Sequence, residues 1–285
     1  MTVQATGGAG AAATLTEPRP AGQEAGPDQV PAAILAGGTA SDKVARVAEA
    51  ACKALVPIQG RPLVCWVADA LLSAQRVSDV VVVEGPHGAL SASPDLEGLR
   101  IVTAQGPGFI DTLSAAVEAY PEAERVLTAT GDLPLLTPDT VDAYVRSCQA
   151  LQGEVLYPLV RADEFDRVFP GRRKSTVPLR EGRFIGANLV MVSRRFVLEE
   201  GPTIAQTFAR RKSPLGMCRI FGWSFVLRLV LGRLSVADLE RRASEMLGAT
   251  LRAVPAPWPE VAFDVDDGAD LELARHYLRR WLEGR

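Results

Sequence analysis

AAILAGGTASDKVARVAEAACKALVPIQGRPLV, Ala32 to Val64, opens on an apolar run that does not alternate, turns on two adjacent glycines, and reaches one lysine, Lys53, ahead of Pro57 and Gly60. A short run that is apolar at every position reads as a strand buried on both faces. The same signature returns at Val80–Val83, at RIVTA (residues 100–104) and at RVLTA (residues 125–129). Between these runs VCWVADALLSA and FIDTLSAAVEAY carry apolar residues at helical spacing, and the run after GDLPLLTP does so more weakly. Strand, helix and strand in this order predict an α/β fold with a parallel sheet and right-handed crossovers.

Past Val155 the pattern changes. EVLYPLV, STVPL and NLVMV, separated by basic, Gly- and Pro-containing turns, extend the sheet and form a hairpin-like insertion. Thr203 to Leu247 reads as mostly helical, with breaks at Pro214, Gly216, Gly222 and Gly232. A last strand is expected near Val261–Val265, followed by a terminal helix, ADLELARHYLRRWLEG. Residues 1–30 are rich in Ala, Gly, Pro and Glu, with no basic or apolar leader region, and read as a disordered tail. Residues 31–285 are expected to form a single domain, with acceptor-side and helical insertions at about 160–250.

Composition narrows the chemistry. The 285 residues are 47% hydrophobic, enough for a sizeable core, and 31 basic against 34 acidic residues leave a net charge of −3. No global positive field is available to hold a polyanion, so nucleic acid is not an expected partner. Cys52, Cys65, Cys148 and Cys218 show no CxxC spacing, and His87 and His276 complete the soft ligands. That excludes a disulfide framework, argues against zinc, and points to a reducing, cytoplasmic setting. His87 lies in a Gly-Pro-His-Gly turn and His276 in a charged helix, neither a natural place for a triad base. The longest apolar run, Gly222–Leu234, is interrupted by Arg228 and too short to span a bilayer.

In open parallel sheets ligands bind beyond the carboxyl ends of the strands. Gly37 and Gly38 follow the first strand, where the missing Cβ lets N–H groups curl around an anion; an ordinary tight turn is the plainer reading. The stretch matches neither GxGxxG nor GxxxxGK[ST]. Lys53 is either a surface lysine or, facing the glycines, a point charge for a triphosphate. Asp132, at a strand end between Gly131 and Pro134, suits Mg²⁺, because Thr137 before Pro138 is the better helix cap. FDVDDGADLELA (residues 263–274) places Asp264 and Asp266 on one strand face, one of them a second metal ligand, with Asp267 or Asp270 left to cap the helix. A basic cluster, Arg172, Arg173, Lys174, Arg180 and Arg183, is either a solvated face or a receiver for an anionic acceptor. The segment with Arg219, Arg228 and Arg233 beside Trp223 and Phe225 is amphipathic and is expected to serve core packing or a homodimer contact.

Taken in order, LAGG, KALVPIQGRPLV, GDLPLLTP, GAN and FDVDDGADLELA resemble the MobA-like NTP transferases, over roughly Ala32 to His276. The resemblance implies a three-layer α/β/α, Rossmann-like, mixed but mostly parallel sheet of the nucleotide-diphospho-sugar transferase type. It implies a nucleotidyltransferase using Mg²⁺, an NTP and a phosphorylated small-molecule acceptor, with pyrophosphate released. On it, Leu35, Ala36, Gly37 and Gly38 cradle the nucleotide and Lys53 neutralises the α-phosphate. Gln105 and Gly106 fall where the base is read, Asp132 with Asp264 or Asp266 holds the metal, and Gly186, Asn188 and Arg173 meet the acceptor. The commoner pattern has an arginine a few residues past the glycines and a nearer lysine. Here Thr39–Lys43 and a helical-looking VARVAEAA intervene, with Lys43 and Arg46 as the cations available to substitute. A glycosyltransferase on the same sheet and a non-catalytic nucleotide-binding protein are the competing readings.

Overall fold

The computed structural model describes residue 26 and residues 28–38, 42–210 and 222–283. The expected disordered tail lies almost wholly outside the described residues, as do Thr39–Ser41 and Arg219. Along the chain the strands are β1 (Val30–Ala36), β2 (Pro57–Ile58), β3 (Arg61–Pro62), β4 (Val77–Glu84), β5 (Arg100–Thr103), β6 (Arg125–Thr130), β7 (Val155–Arg161), β8 (Val177–Leu179), β9 (Gly182–Gly186), β10 (Leu189–Ser193) and β11 (Leu251–Pro255). The first helices are α1 (Lys43–Val47), α2 (Leu63–Ser73), α3 (Phe109–Glu118), α4 (Pro138–Gln149), α5 (Ala162–Val168), α6 (Arg194–Glu199) and α7 (Gly201–Arg210), followed by helices Trp223–Val230, Val236–Leu247 and Gly268–Glu283.

Nine strands form one sheet in the order β5-β4-β1-β6-β10-β7-β9-β8, with β11 on the free side of β7. Within it only β9 and β10 run against the rest, because β10 is antiparallel to both β6 and β7 and β9 to both β7 and β8. The sheet is therefore mixed and mostly parallel. The doubly apolar strands are its centre for a physical reason: their side chains divide between two cores. Ala32, Ile34, Val80, Val82 and Leu127 face the layer of α2, α4 and the terminal helix. Ala33, Val81, Val83 and Val126 face the layer of α3 and α6. Period-two alternation with both faces covered leaves no polar register.

Four readings need correction. RIVTA is an edge strand, β5, paired only with β4 and half-exposed, so it is not buried on both faces. No strand forms at Val261–Val265: Pro259–Ala262 is a 3-10 turn, and the last strand is β11, parallel to β7. The N–H groups of Val261, Phe263 and Val265 instead donate to the carbonyls of Trp258, Glu260 and Asp132 at 3.2, 3.1 and 3.1 Å, which are turn and loop bonds and no ladder. The VARVAEAA insertion is helical only to Val47, where Glu49 takes a positive φ of 54°. Trp223 is 71% exposed, with Leu227 and Val230 beside it on the same helix face, so this face does not pack into the core. Among the described residues no helix is long and apolar enough to cross a membrane.

Candidate active site

Several loops converge beyond the carboxyl ends of β1 and β6. Gly131 N donates to Leu35 O at 3.2 Å, tying the ends of β1 and β6 together where both chains turn out of the sheet. At Gly37 the turn is crowded, since a Cβ there would collide with Thr112 Cγ2 of α3. Only glycine fits this close approach of loop to helix. Gly37, Gly38 and Ala36 line a small cleft with Gly85, His87 and Pro107, so the loop after β1 faces the loops after β4 and β5. Gln105 is exposed at the rim of that second loop, and Gly106 is packed so that a Cβ would stand 2.5 Å from Asp111.

The wall after β4 is built by a residue that the sequence did not advertise. Glu84 is buried, and its carboxylate accepts from Leu90 N at 2.8 Å, Ser91 N at 3.1 Å and Thr103 Oγ1 at 3.0 Å, and from the Ser91 hydroxyl. Burial alone raises its pKa, but these donors outweigh burial and hold it below the ordinary glutamate value. Its contribution to stability is therefore present above the unfolded-state pKa, about 4.3, and is lost as pH falls through the lower folded value. Glu84→Gln is expected to cost about 1–3 kcal/mol at neutral pH, because an amide turns an N–H pair toward donors. Urea unfolding from pH 3 to 7 should show the wild-type advantage shrinking below about pH 4.

Lys53 reaches the site from a 3-10 turn, Lys53–Leu55, held by a hairpin of β2 and β3 whose Gln59-Gly60 turn has φ of 49° and 78°. Two left-handed residues in a row make the tight reversal that PIQGRP encodes. The turn lies against Gly38, whose missing Cβ is 4.0 Å from Lys53 Cβ. The glycines and the lysine are thus walls of one site. Lys53 Nζ is 2.5 Å from Asp132 Oδ2 and 3.1 Å from Asp266 Oδ1. Burial lowers the lysine pKa, but the two carboxylates together raise it above its ordinary value.

Asp132 is fixed by Thr130, whose hydroxyl donates to Oδ1 at 2.5 Å, and by Val265 N, which donates to the Asp132 carbonyl at 3.1 Å. That second bond lays residues 264–266 along the end of β6, so Val265 is buried while Asp264 and Asp266 both turn to Asp132. The alternation survives without the strand. Carboxylate oxygens of the three aspartates lie within 4.8 Å of one another, an all-oxygen donor set that suits a hard divalent ion such as Mg²⁺. Asp267 and Asp270 are the caps: Asp270 N donates to Asp267 Oδ1 at 3.0 Å, and Asp270 Oδ2 accepts from Asp266 N and Asp267 N at 2.9 and 3.2 Å.

The basic segment after α5 supplies two further members. Arg172 pairs with buried Asp270 and lies 3.9 Å from Asp266, and Lys174 pairs with Asp264. Arg173 between them is exposed. In an extended segment neighbours point opposite ways, so choosing Arg173 selects the outward side of Arg-Arg-Lys. Burial, with Arg172 beside it, holds Lys174 below its ordinary pKa, and burial pushes Asp270 up. Asp266 is held low, its own burial being outweighed by Lys53, Lys174 and Arg172.

Gly186 and Asn188 flank the point where the sheet forks. β9 and β10 follow one another along the same side of β7, and at the break Asn188 N donates to Val261 O at 3.2 Å while Asn188 O accepts from Thr130 N at 3.1 Å. Asn188 thereby touches the backbone beside Asp132 and the turn that leads to Asp264. A Cβ at Gly186 would collide with the Tyr157 hydroxyl.

A MobA-like NTP transferase domain matches residues 32–215. A solved structure described as a hypothetical transferase from Thermus thermophilus is 37% identical, with a TM-score of 0.72 over 85% of this chain and all of that one. A nucleotidyl transferase from Methanothermobacter thermautotroptrophicus, 20% identical with a TM-score of 0.54 over 89% of this chain and 99% of that one, shares the fold. Among curated proteins, the bifunctional protein GlmU of Acidithiobacillus ferrooxidans is 34% identical over 114 residues, which are 40% of this chain and 24% of that protein. The chain thus matches about a quarter of the length of that protein and of the GlmU of a second strain of the species.

Proposed function

Because the chain belongs to the MobA-like NTP transferase family, we propose that it moves a nucleoside monophosphate from an NTP to a phosphorylated small-molecule acceptor, such as a sugar phosphate or a pterin, and releases pyrophosphate. The observation that carries this reading is the meeting of Lys53, Asp132, Asp264 and Asp266 against the Gly37-Gly38 turn. In-line attack of one phosphate on another needs charge neutralisation and positioning far more than a strong base.

Each part has a place in that reaction. Leu35, Ala36, Gly37 and Gly38 form the strand end and turn on which the nucleotide phosphates rest, with backbone N–H groups as donors. Gln105 and Gly106 stand across the cleft, on the side assigned to the base. Lys53 supplies positive charge to the α-phosphate as the bond to pyrophosphate breaks. Asp132, Asp264 and Asp266 would hold Mg²⁺, which when bound screens the phosphate oxygens. Asn188, Gly186 and the basic segment around Arg173 line the acceptor side.

Each of the four NTPs, offered with Mg²⁺ and a library of phosphorylated metabolites, tests the reading by pyrophosphate detection. One nucleotide is expected to give acceptor-dependent pyrophosphate. Failure of all four to bind with Mg²⁺ overturns the proposal, and a nucleoside diphosphate released from a sugar nucleotide would favour glycosyl transfer on the same sheet.

A further inference from the structure

Lys174 lies on the segment between α5 and β8, and its side chain, 10% exposed, ends between two of the three clustered aspartates. Its ammonium pairs with the Asp264 carboxylate, lies 3.6 Å from Asp266 Oδ2 and donates to the Asp264 carbonyl at 3.4 Å. Lys53 makes the equivalent contacts to Asp132 and Asp266. Each carboxylate that could bind a divalent ion therefore already carries an ammonium. Arg172 differs, because its guanidinium is tied to Asp270 in the cap of the terminal helix.

A divalent ion and an ammonium cannot share one carboxylate oxygen at contact distance, since their repulsion there is large in a mostly buried site. Lys174 must leave Asp264 before that oxygen can coordinate. Leaving strips a mostly buried cation of its counter-charge, which is costly unless another anion takes the place of the carboxylate. A phosphate is such an anion. The exchange then conserves pairings: carboxylate–ammonium becomes carboxylate–metal and ammonium–phosphate. Lys174 is better placed to move than Lys53. Its segment, residues 172–176, has neither helix nor strand, whereas Lys53 is held in a 3-10 turn between buried Cys52 and Ala54.

We propose that Lys174 couples the two ligands of the site: it guards Asp264 until a polyphosphate draws it away, so that divalent ion and polyphosphate bind together far better than the ion alone. The identity of the polyphosphate as an NTP rests on the function proposed above; the guarding contact does not. Thermodynamic linkage makes the effect reciprocal, each ligand strengthening the other.

Titration of the full-length protein with Mn²⁺, followed calorimetrically with and without inorganic pyrophosphate, tests this in wild type and in Lys174→Met, which keeps the stem and removes the charge. The variant is expected to bind Mn²⁺ alone about tenfold more tightly than wild type, and pyrophosphate is expected to enhance Mn²⁺ binding about tenfold less in the variant. Chelation in free solution is the same for both proteins and cancels in the comparison. Lys174→Gln gives a second measurement if methionine disturbs the packing. If wild type binds Mn²⁺ and both variants bind it alone no more tightly, the coupling role is overturned while the nucleotidyltransferase reading stands. If they bind it more tightly but no NTP is turned over with any acceptor, the coupling stands and the reaction assignment falls. Absence of Mn²⁺ binding in every protein, with pyrophosphate or without, overturns both.

Discussion

Asp132→Asn is expected to reduce pyrophosphate release by a factor on the order of 10³ while leaving the fold intact. The substitution removes one of three converging anionic oxygens and the closest partner of Lys53, yet it preserves shape. An asparagine oxygen still accepts from the Thr130 hydroxyl, and the bond from Val265 N goes to the main chain, so residues 264–266 stay in place. Lys53 keeps Asp266 at 3.1 Å as a counter-charge. Stability should therefore change by about 1 kcal/mol or less. Steady-state rates set beside a thermal melt separate the two effects. A folded Asp132→Asn protein that retains a tenth or more of wild-type turnover would remove Asp132 from the chemistry.

Lys53→Met should cost a factor on the order of 10² in turnover and raise the KM for the nucleotide. Its ammonium is the positive group shared by Asp132 and Asp266 and set against the glycine turn, so in the proposed reaction it would serve the phosphates as they bind and as charge develops on the leaving pyrophosphate. A loss confined to KM, with kcat unchanged, would make Lys53 a binding group with no larger role in the transition state. Lys53→Arg is not a conservative rescue, because a planar fork cannot sit as a point charge between two carboxylates in the same space.

Much of this was readable from residues. The unalternating runs at 32–36, 80–83 and 125–129 announce buried parallel strands, because only a sheet covered on both faces tolerates them, and β1, β4 and β6 lie side by side in the sheet. The ends of β1 and β6 follow, and with them Gly37, Gly38 and Asp132. Lys53 was harder: its place beside Gly38 is a contact between separate segments that no local pattern fixes. Other features lie beyond local pattern. β11 is a short run with Arg252 inside it, and it forms because β7 has an open side. Glu84 reads as a polar residue ending an apolar strand, and its burial depends on the chain returning four donors from Leu90, Ser91 and Thr103. Choosing between Arg173 and its neighbours Arg172 and Lys174 is a question of register, and a one-residue shift in an extended segment reverses which side chains turn inward.

The fork at Asn188 bears on how such an enzyme could change its acceptor. Both bonds that close the fork are made by the main chain of Asn188, one to Val261 and one from Thr130. Any residue that keeps its N–H can make them. The side chain at this position is thus released from holding the sheet together, and in the proposed function substitutions there would be open to selection by the acceptor. Beyond the fork, β7, β8, β9 and β11 pair with one another and with β10, and β1 and β6 lead into the Gly37-Gly38 turn and Asp132 on the other side. If the proposed function holds, lineages could vary the side chain at this position for a new acceptor while the β6–β10 ladder and the two main-chain bonds of Asn188 keep the sheet joined.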